Sequence, residues 1–174
     1  MRGGYTINRR ISLYLRIFIL LLVLTFCVSY FNYRRLRIDN KHRKAFYDIL
    51  LQTVESGQDF NMAEITPFAW DKMFIVKPYT TQKEAFKQVN VKWTTTSTYP
   101  GYILEKYFLG EYQLLADEIH KLVFLKEDEV ILDIDLMRWE ADFTKNESVI
   151  FAKEAFFTII KENSRPMILK NDGL

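Results

Sequence analysis

Apolar residues dominate one uninterrupted stretch near the N-terminus, from Ile17 to Phe31, and basic residues lie on both sides of it. A helix that crosses about 30 Å of hydrocarbon needs about 20 residues. Residues 11–33 supply that length. The pattern therefore predicts a basic tail over residues 1–10 and a transmembrane helix over residues 11–33.

Three other interpretations explain this stretch less well. A lipoprotein signal needs a small residue just before the lipidated cysteine, and Phe26 precedes Cys27. A cleaved signal peptide would use the small residues Cys27 and Ser29, but the residues that follow are bulky and basic. A buried core helix would show polar periodicity and would lack the flanking arginines. We interpret the stretch as an uncleaved anchor.

The charges around the span do not decide on which side of the membrane the domain lies. The positive-inside rule counts Lys and Arg near the ends of a span, and those after it slightly outnumber those before it. This favours a cytoplasmic domain, whereas a short basic tail, one span and then a domain is the layout of bacterial signal anchors that export the domain. We expect the helix to anchor the protein in the cell membrane and the domain to lie on the extracytoplasmic side. The basic residues concerned are Arg2, Arg9, Arg10, Arg16, Arg34, Arg35, Arg37, Lys41, Arg43 and Lys44.

The pattern after the span changes from helical to mainly extended. Apolar residues recur every three or four positions between Lys41 and Glu55, which predicts a helix within a basic juxtamembrane stalk over residues 34–57. This stalk lies against lipid headgroups or is solvated. A globular domain is then expected over residues 58–174. It opens with a short strand from Phe60 to Ile65 and a second strand from Trp70 to Val76, buried on both faces.

The middle of the domain combines a helix with extended segments. Thr81 and Glu84 have the spacing of a capping box at the start of a short helix. Residues 90–99 are rich in Thr and aromatics and predict a strand. Pro100-Gly101 predicts a turn, and residues 102–112 predict an irregular segment.

The clearest pattern is a β-hairpin formed by residues 119–125 and 130–137, with a charged turn at 126–129. Val130, Leu132, Ile134 and Leu136 are predicted to lie on one face of the second strand, and Asp133 and Asp135 on the other. Residues 155–160 favour a strand over a helix, with a turn at Arg165-Pro166 and pairing to residues 167–169. Together the patterns predict an α+β fold: a transmembrane helix, then one small domain with an antiparallel sheet and few helices.

The distribution of charged residues indicates which kinds of molecule the chain is expected to contact. The formal net charge is +2, but the basic residues cluster at the span, so the domain itself is mildly acidic. A nucleic-acid binder would carry its basic stripe on the folded part, so no nucleic acid is expected. Residues 11–44 are expected to contact membrane lipids.

Residue types that carry chemistry are few. No histidine pair has metal-ligand spacing, and no glycine-rich phosphate loop is present, so neither a metal nor a cofactor is expected. His120 is interpreted as a sheet residue. Asp133 and Asp135 share a strand face and could hold a hard cation, but we interpret them as the solvated face of a hairpin. The full acidic cluster is Asp133, Asp135, Glu140 and Asp142.

The most distinctive motif runs from Phe68 to Thr80, Phe-Ala-Trp-Asp-Lys-Met-Phe-Ile-Val-Lys-Pro-Tyr-Thr. It resembles small uncharacterised bacterial proteins anchored by a membrane helix or a lipid, which carry a Trp-Asp-Lys turn entering a strand and a Pro-Tyr-Thr sequence opening a helix. The likeness covers residues 60–143. The candidate partner-binding patch consists of Trp70, Asp71, Lys72 and Tyr79.

The leading hypothesis is a single-pass, non-enzymatic domain that binds a protein partner at the cell envelope. The first alternative is a cation-dependent enzyme that uses the acidic hairpin. The second is a membrane-tethered regulator that faces the cytoplasm.

Overall fold

The chain forms two compact units, Met1–Arg37 and Ile38–Leu174. The first contains one long helix, α1, from Gly4 to Leu36. The second is the predicted α+β domain, with two antiparallel sheets and few helices. The computed structural model describes residues 4–109, 116–162 and 165–171.

The second unit alternates short helices with strands. A π-helix at Glu105–Leu109 follows α5, and a 3₁₀ turn at Ala152–Glu154 follows β5. The other elements are α2 (Arg43–Ser56), β1 (Phe60–Asn61), α3 (Met62–Ile65), β2 (Lys72–Val76), α4 (Gln82–Val89), α5 (Tyr99–Leu104), β3 (Ile119–Lys126), β4 (Glu129–Met137), β5 (Val149–Phe151), β6 (Phe156–Glu162) and β7 (Arg165–Lys170).

Helix α1 carries the apolar stretch. Its portion from Ser12 to Leu36 has 25 residues and a mean hydropathy of 2.2, and no part of its most apolar window is buried. At 1.5 Å per residue this portion spans about 37 Å, which exceeds the ~30 Å of a hydrocarbon core. Within the described ranges it is the one helix long and apolar enough to cross a membrane. A signal sequence satisfies the same test of length and composition.

The larger sheet has the strand order β4-β3-β2-β5, and the smaller has the order β1-β6-β7. Strand β2 lies between β3 and β5 within the sheet. Its residues Met73 and Ile75 are buried on one face of the sheet and Phe74 and Val76 on the other, so β2 is covered on both faces, as predicted. The predicted hairpin is β3–β4. The predicted strand at 155–160 is β6, and it pairs with β7 so that Ile160 lies opposite Met167. Arg165 and Pro166, predicted as a turn, begin β7 instead.

The main hydrophobic core lies between the sheets and α2. Phe46, Leu50 and Val54 of α2 are buried there, and the Phe46 ring meets Phe124 edge to face at 5.2 Å. The apolar face of α2 therefore belongs to the globular unit, which begins at Ile38 rather than at residue 58. Gly57, with φ of 68°, ends α2 in the left-handed conformation that glycine favours.

A smaller core covers the opposite face of the larger sheet. It contains Val123 and Leu125 of β3, Ala85 and Val89 of α4, and Trp93. Helix α4 begins with the predicted capping box, in which Thr81 and Glu84 bond reciprocally. Both faces of this sheet are consequently covered by apolar side chains.

A β-bulge corrects the predicted face of one residue. The register shifts at Phe124/Leu125, so that Leu125 lies opposite Val130 and Phe124 lies opposite Leu132. Val130 therefore packs in the smaller core, whereas Leu132, Ile134 and Leu136 pack in the main core. An extra residue in one strand reverses the faces beyond it.

One predicted strand and the turn predicted after it are wrong. Residues 90–98 form a loop in which Thr94 and Thr96 bond each other locally, and Thr98 caps α5 by accepting from the Gly101 N–H at 3.3 Å. Pro100-Gly101 is the first turn of α5, a position that suits proline.

Two further segments differ in part from the prediction. The segment predicted as irregular is helical up to Leu109, and its residues 110–112 lie outside the described ranges. The strand predicted for 60–65 is only Phe60–Asn61. The Asn61 side chain accepts from the Ala63 N–H at 2.9 Å and starts α3.

The hairpin turn offers a test of backbone strain. Glu127 and Asp128 both have positive φ, 50° and 63°, a conformation that costs most residues about 1–2 kcal/mol but that Asn adopts more readily. We expect Glu127→Asn to raise the free energy of unfolding by about 0.5–1 kcal/mol. Denaturant unfolding of the full chain in detergent measures this change. Glu127→Gln, which removes the same charge without easing the backbone, serves as the control, and an equal gain in that variant would contradict the strain explanation.

Candidate functional site

The four residues of the predicted patch do not share one surface. Trp70 is only 6% exposed; its Nε1 donates to Thr66 Oγ1 at 2.9 Å, and its ring meets Phe124 edge to face. Trp70 is therefore a core residue. Tyr79 is exposed, with φ of 62°, and follows the opposite end of β2. It directly precedes Thr80, which lines a cavity described below.

Asp71 and Lys72 hold the hairpin turn. The Asp71 Oδ2 atom accepts from the Glu127 N–H at 2.7 Å, and the Asp71 N–H donates to the Leu125 carbonyl at 2.8 Å. Lys72 Nζ lies 3.1 Å from Asp128 Oδ1. These contacts give both residues a structural role, and partner binding by the patch stays a prediction.

A cavity of about 390 Å³ lies in the globular unit, over the face of the larger sheet that also bears the smaller core. Its floor comes from β2, β3 and β4, and its walls from the start of α4, the loop after α4 and the π-helix. A volume of this size falls within the ~300–1,000 Å³ of small-molecule sites. Its polar and aromatic lining residues include Thr80, Thr81, Phe86, Trp93, Thr94, Thr95, Glu105, Lys121, Asp133 and Asp135.

The floor of the cavity is an ion-paired cluster. Lys121 Nζ contacts Asp133 Oδ1 closely and lies 3.1 Å from Asp135 Oδ1. The side chains of Lys121 and Asp133 are 12% and 6% exposed, while that of Asp135 is 35% exposed. Burial alone would lower the pKa of Lys121, but the two carboxylates outweigh it and raise that pKa above its usual value. Lys121 is therefore a fixed cation at neutral pH.

Asp133 is bonded from three directions. Its Oδ2 atom accepts from Trp93 Nε1 at 2.5 Å, and its Oδ1 atom accepts from Lys121. The Asn40 side chain pairs with the Asp133 backbone, donating to its carbonyl at 2.8 Å and accepting from its N–H at 2.9 Å. Asn40 thus satisfies a backbone position on the outer edge of β4, as a neighbouring strand would.

The rim of the cavity is rich in hydroxyl groups. Thr94 and Thr96 bond each other at 3.0 Å, and Thr96 donates to the Glu105 carboxylate. Glu105 and Leu109 reach the cavity from the π-helix. Such helices are rare and occur frequently at functional sites.

The predicted acidic cluster divides into separate environments. Asp133 and Asp135 share a face, as predicted, but that face forms the cavity floor rather than a solvated surface. Glu140 accepts from the Tyr47 hydroxyl at 2.7 Å, a bond that raises the pKa of Tyr47 to about 12. Asp142 accepts from Arg138 Nε at 2.8 Å.

A lysine side chain lies where a cation was considered between Asp133 and Asp135. Among the described residues, no group of three or more His, Cys, Asp or Glu side chains is placed to hold an ion. Between Asp133 and Asp135, where a cation was one interpretation, the Lys121 ammonium is present instead. The ammonium supplies the positive charge that the two carboxylates require.

His120 is buried on the other side of β3. Its ring packs 6.0 Å from that of Phe143, which agrees with the predicted role of a sheet residue. Burial, assisted by the Arg138 charge, lowers the pKa of His120 to about 4, although Asp142 and Asp135 act in the opposite direction. The ring is therefore neutral at pH 7.

Sequence reasoning missed most of this cavity. A two-residue turn alone would place Lys121 opposite Ile134, and the bulge moves it opposite Asp135, so the spacing of the hairpin does not indicate this pair. Trp93 and Glu105 carry no sequence signal either, since a loop and a π-helix bring them to the sheet.

Two similar substitutions in the cavity floor should lower the free energy of unfolding by different amounts. In Asp133→Asn, the new side-chain NH2 group is a donor and would face another donor, either Trp93 Nε1 or Lys121 Nζ. Lys121 would also lose a buried negative partner. We expect a loss of about 3 kcal/mol in the free energy of unfolding. Asp135→Asn, at a partly exposed position, should cost about 1 kcal/mol or less. Denaturant unfolding of the full chain compares them, and equal losses would contradict the assigned roles.

His120 predicts a pH dependence of stability. Its pKa is about 4 in the folded chain and near 6.5 when unfolded, so the unfolded state binds more protons between these values. Stability should therefore fall as the pH decreases from about 6.5 to about 4, by about 3 kcal/mol in total from this residue. His120→Gln cannot titrate and should lose that part of the dependence. Thermal unfolding of both proteins over this range measures the difference, and identical slopes would exclude His120 as the source.

Comparison with known proteins finds no similar protein. No protein-family model matches the chain, no curated protein matches it, and no solved structure matches it. What the cavity does is therefore inferred from its residues and geometry.

Proposed function

We propose that the chain is a single-pass protein of the cell membrane, whose globular domain lies on the extracytoplasmic side and binds a protein partner without catalysing a reaction. The 25-residue portion of α1 supports the membrane anchor. A short basic tail before one span, the layout of an exporting signal anchor, supports the orientation.

The state of Lys121 is the observation that carries the choice of binding over catalysis. A lysine that acts as nucleophile or base needs a lowered pKa, and the carboxylates of Asp133 and Asp135 raise the pKa of this one. A metal ion held between Asp133 and Asp135, as the cation-dependent enzyme would need, would have to displace the Lys121 ammonium from between its two partners. A fixed, internally paired floor beneath an open cavity suits recognition better.

Reporter fusions after Leu174 test the orientation. We expect activity from an alkaline phosphatase fusion, which folds only outside the cytoplasm, and no signal from a fluorescent protein that matures only inside it. The reverse result would contradict the extracytoplasmic assignment and favour the cytoplasm-facing regulator. Processing of the N-terminus, read by mass spectrometry of the purified full chain, would contradict the uncleaved anchor.

Site-specific photo-crosslinking in the native cells tests partner binding. A photoreactive residue is placed at Thr95 on the cavity rim, at Tyr79, or at Lys72 beside the hairpin turn. We expect one discrete protein adduct at Thr95 and none at Lys72, with Lys72 serving as the matched exposed control. An adduct at Lys72 alone would support the predicted patch and contradict the cavity. The absence of adducts at all three positions in a folded, inserted protein would contradict the proposed function.

A further inference from the structure

We propose that the cavity recognises an organic cation, a primary ammonium or guanidinium group at the end of a flexible chain, as a lysine or arginine side chain presents it. This inference rests on the proposed function and names the chemistry of the partner at the same site. It follows from the charges, the occupied anion position, the walls and the size of the cavity.

The charges that line the cavity do not balance. Glu105, Asp133 and Asp135 are acidic, and Lys121 is the one basic residue among the described lining residues. Lys121 is already shared between Asp133 and Asp135. An additional positive group would offset the excess negative charge in a partly desolvated space, where charge pairs are stronger than in bulk water.

The position that would attract an anion is already occupied. The first turn of α4 lines the cavity, and helix N-termini favour negative groups. There the Glu84 carboxylate accepts from the Thr81 N–H and the Thr81 hydroxyl, both at 2.8 Å. The chain's own carboxylate therefore fills this site, and the cavity is left with acceptors for a donor-rich ligand.

The walls fit the same class of ligand. Thr80, Thr94 and Thr95 line the cavity, and threonine hydroxyl oxygens can accept hydrogen bonds from N–H groups. Phe86 and Trp93 form its aromatic side, with ring centroids 4.8 Å apart. Aromatic rings attract ammonium and guanidinium groups, and the alkyl stem of such a side chain packs against apolar surface.

The floor contains an internal example of this chemistry. Lys121 is an ammonium group held between two carboxylates, so the fold already stabilises this type of ion there. The Asp135 carboxylate remains 35% exposed, and Glu105 reaches the rim from the π-helix. A second cation could reach these two groups without displacing Lys121.

Isothermal titration calorimetry of the full chain in detergent, at pH 7 and low salt, tests the proposal. The probes are the capped tripeptide Gly-Arg-Gly, its citrulline counterpart, which is neutral and nearly the same shape, and agmatine. We expect the citrulline peptide to bind at least about tenfold more weakly than the arginine peptide, since charge-assisted hydrogen bonds contribute about 1.5–3 kcal/mol. Equal affinities of the two peptides would overturn the proposal.

Matched variants locate the binding. We expect Asp135→Asn to weaken binding of the arginine peptide about tenfold. Asp128→Asn, the same change at an ion-paired residue in the turn of the same hairpin, should leave it unchanged. Thr95→Trp should block the cavity and abolish binding without changing the charge. Equal losses in Asp135→Asn and Asp128→Asn would overturn the site, and if Asp135→Asn fails to fold, Glu105→Gln makes the same test.

The source of the cation is decided by the two arginine-like probes. Binding of both the tripeptide and agmatine, with the variant pattern above, supports a basic side chain as ligand. Binding of agmatine alone supports the cation site and contradicts a protein partner. If neither binds, the cation proposal is overturned, while an adduct at Thr95 would still support the proposed function.

Discussion

One buried carboxylate, that of Asp133, holds the cavity side of the domain together. A charge removed from water is tolerated only when other groups replace its hydration, and here Trp93 and Lys121 do so. Each of these partners comes from a different part of the fold: a loop and a neighbouring strand. The need to satisfy one anion therefore brings the loop after α4 against the sheet. The cavity exists because this loop stands over the floor instead of collapsing onto an apolar surface.

Much of the fold follows from local patterns. The β3–β4 hairpin, the buried β2 and the capping box of α4 were predicted because residues close in the chain determine them. The bulge between Val130 and Leu132 does not follow from such patterns. A shift of one residue in the register depends on which core each side chain can enter. The composition of residues 90–99 predicts a strand, but residues 90–98 form a loop. Its threonines instead bond locally, and composition does not distinguish the two outcomes.

The site was far less accessible to sequence reasoning. The Asn40–Asp133 contact joins residues 93 positions apart, and Trp93 reaches Asp133 across 40 positions. No periodicity reports such pairs. The distinctive motif around Trp70 predicts a binding patch, but the large aromatic side chain of Trp70 packs in the core. The unusual residues of that motif reflect the requirements of packing, whereas the cavity is formed by residues that are far apart in the sequence and share no motif.

The residues that begin the globular unit have a mechanical consequence. The Ile38 N–H donates to the Thr94 carbonyl at 3.1 Å, and Asn40 is bonded to the backbone of Asp133. The first contact attaches the entering chain to a wall of the cavity, and the second attaches it to the floor. Tension applied along the chain from its N-terminal side would load these bonds before any others in the domain, and would pull Thr94 and Asp133 apart from their neighbours. A force acting on the domain would therefore change the shape of the cavity before it unfolded the core.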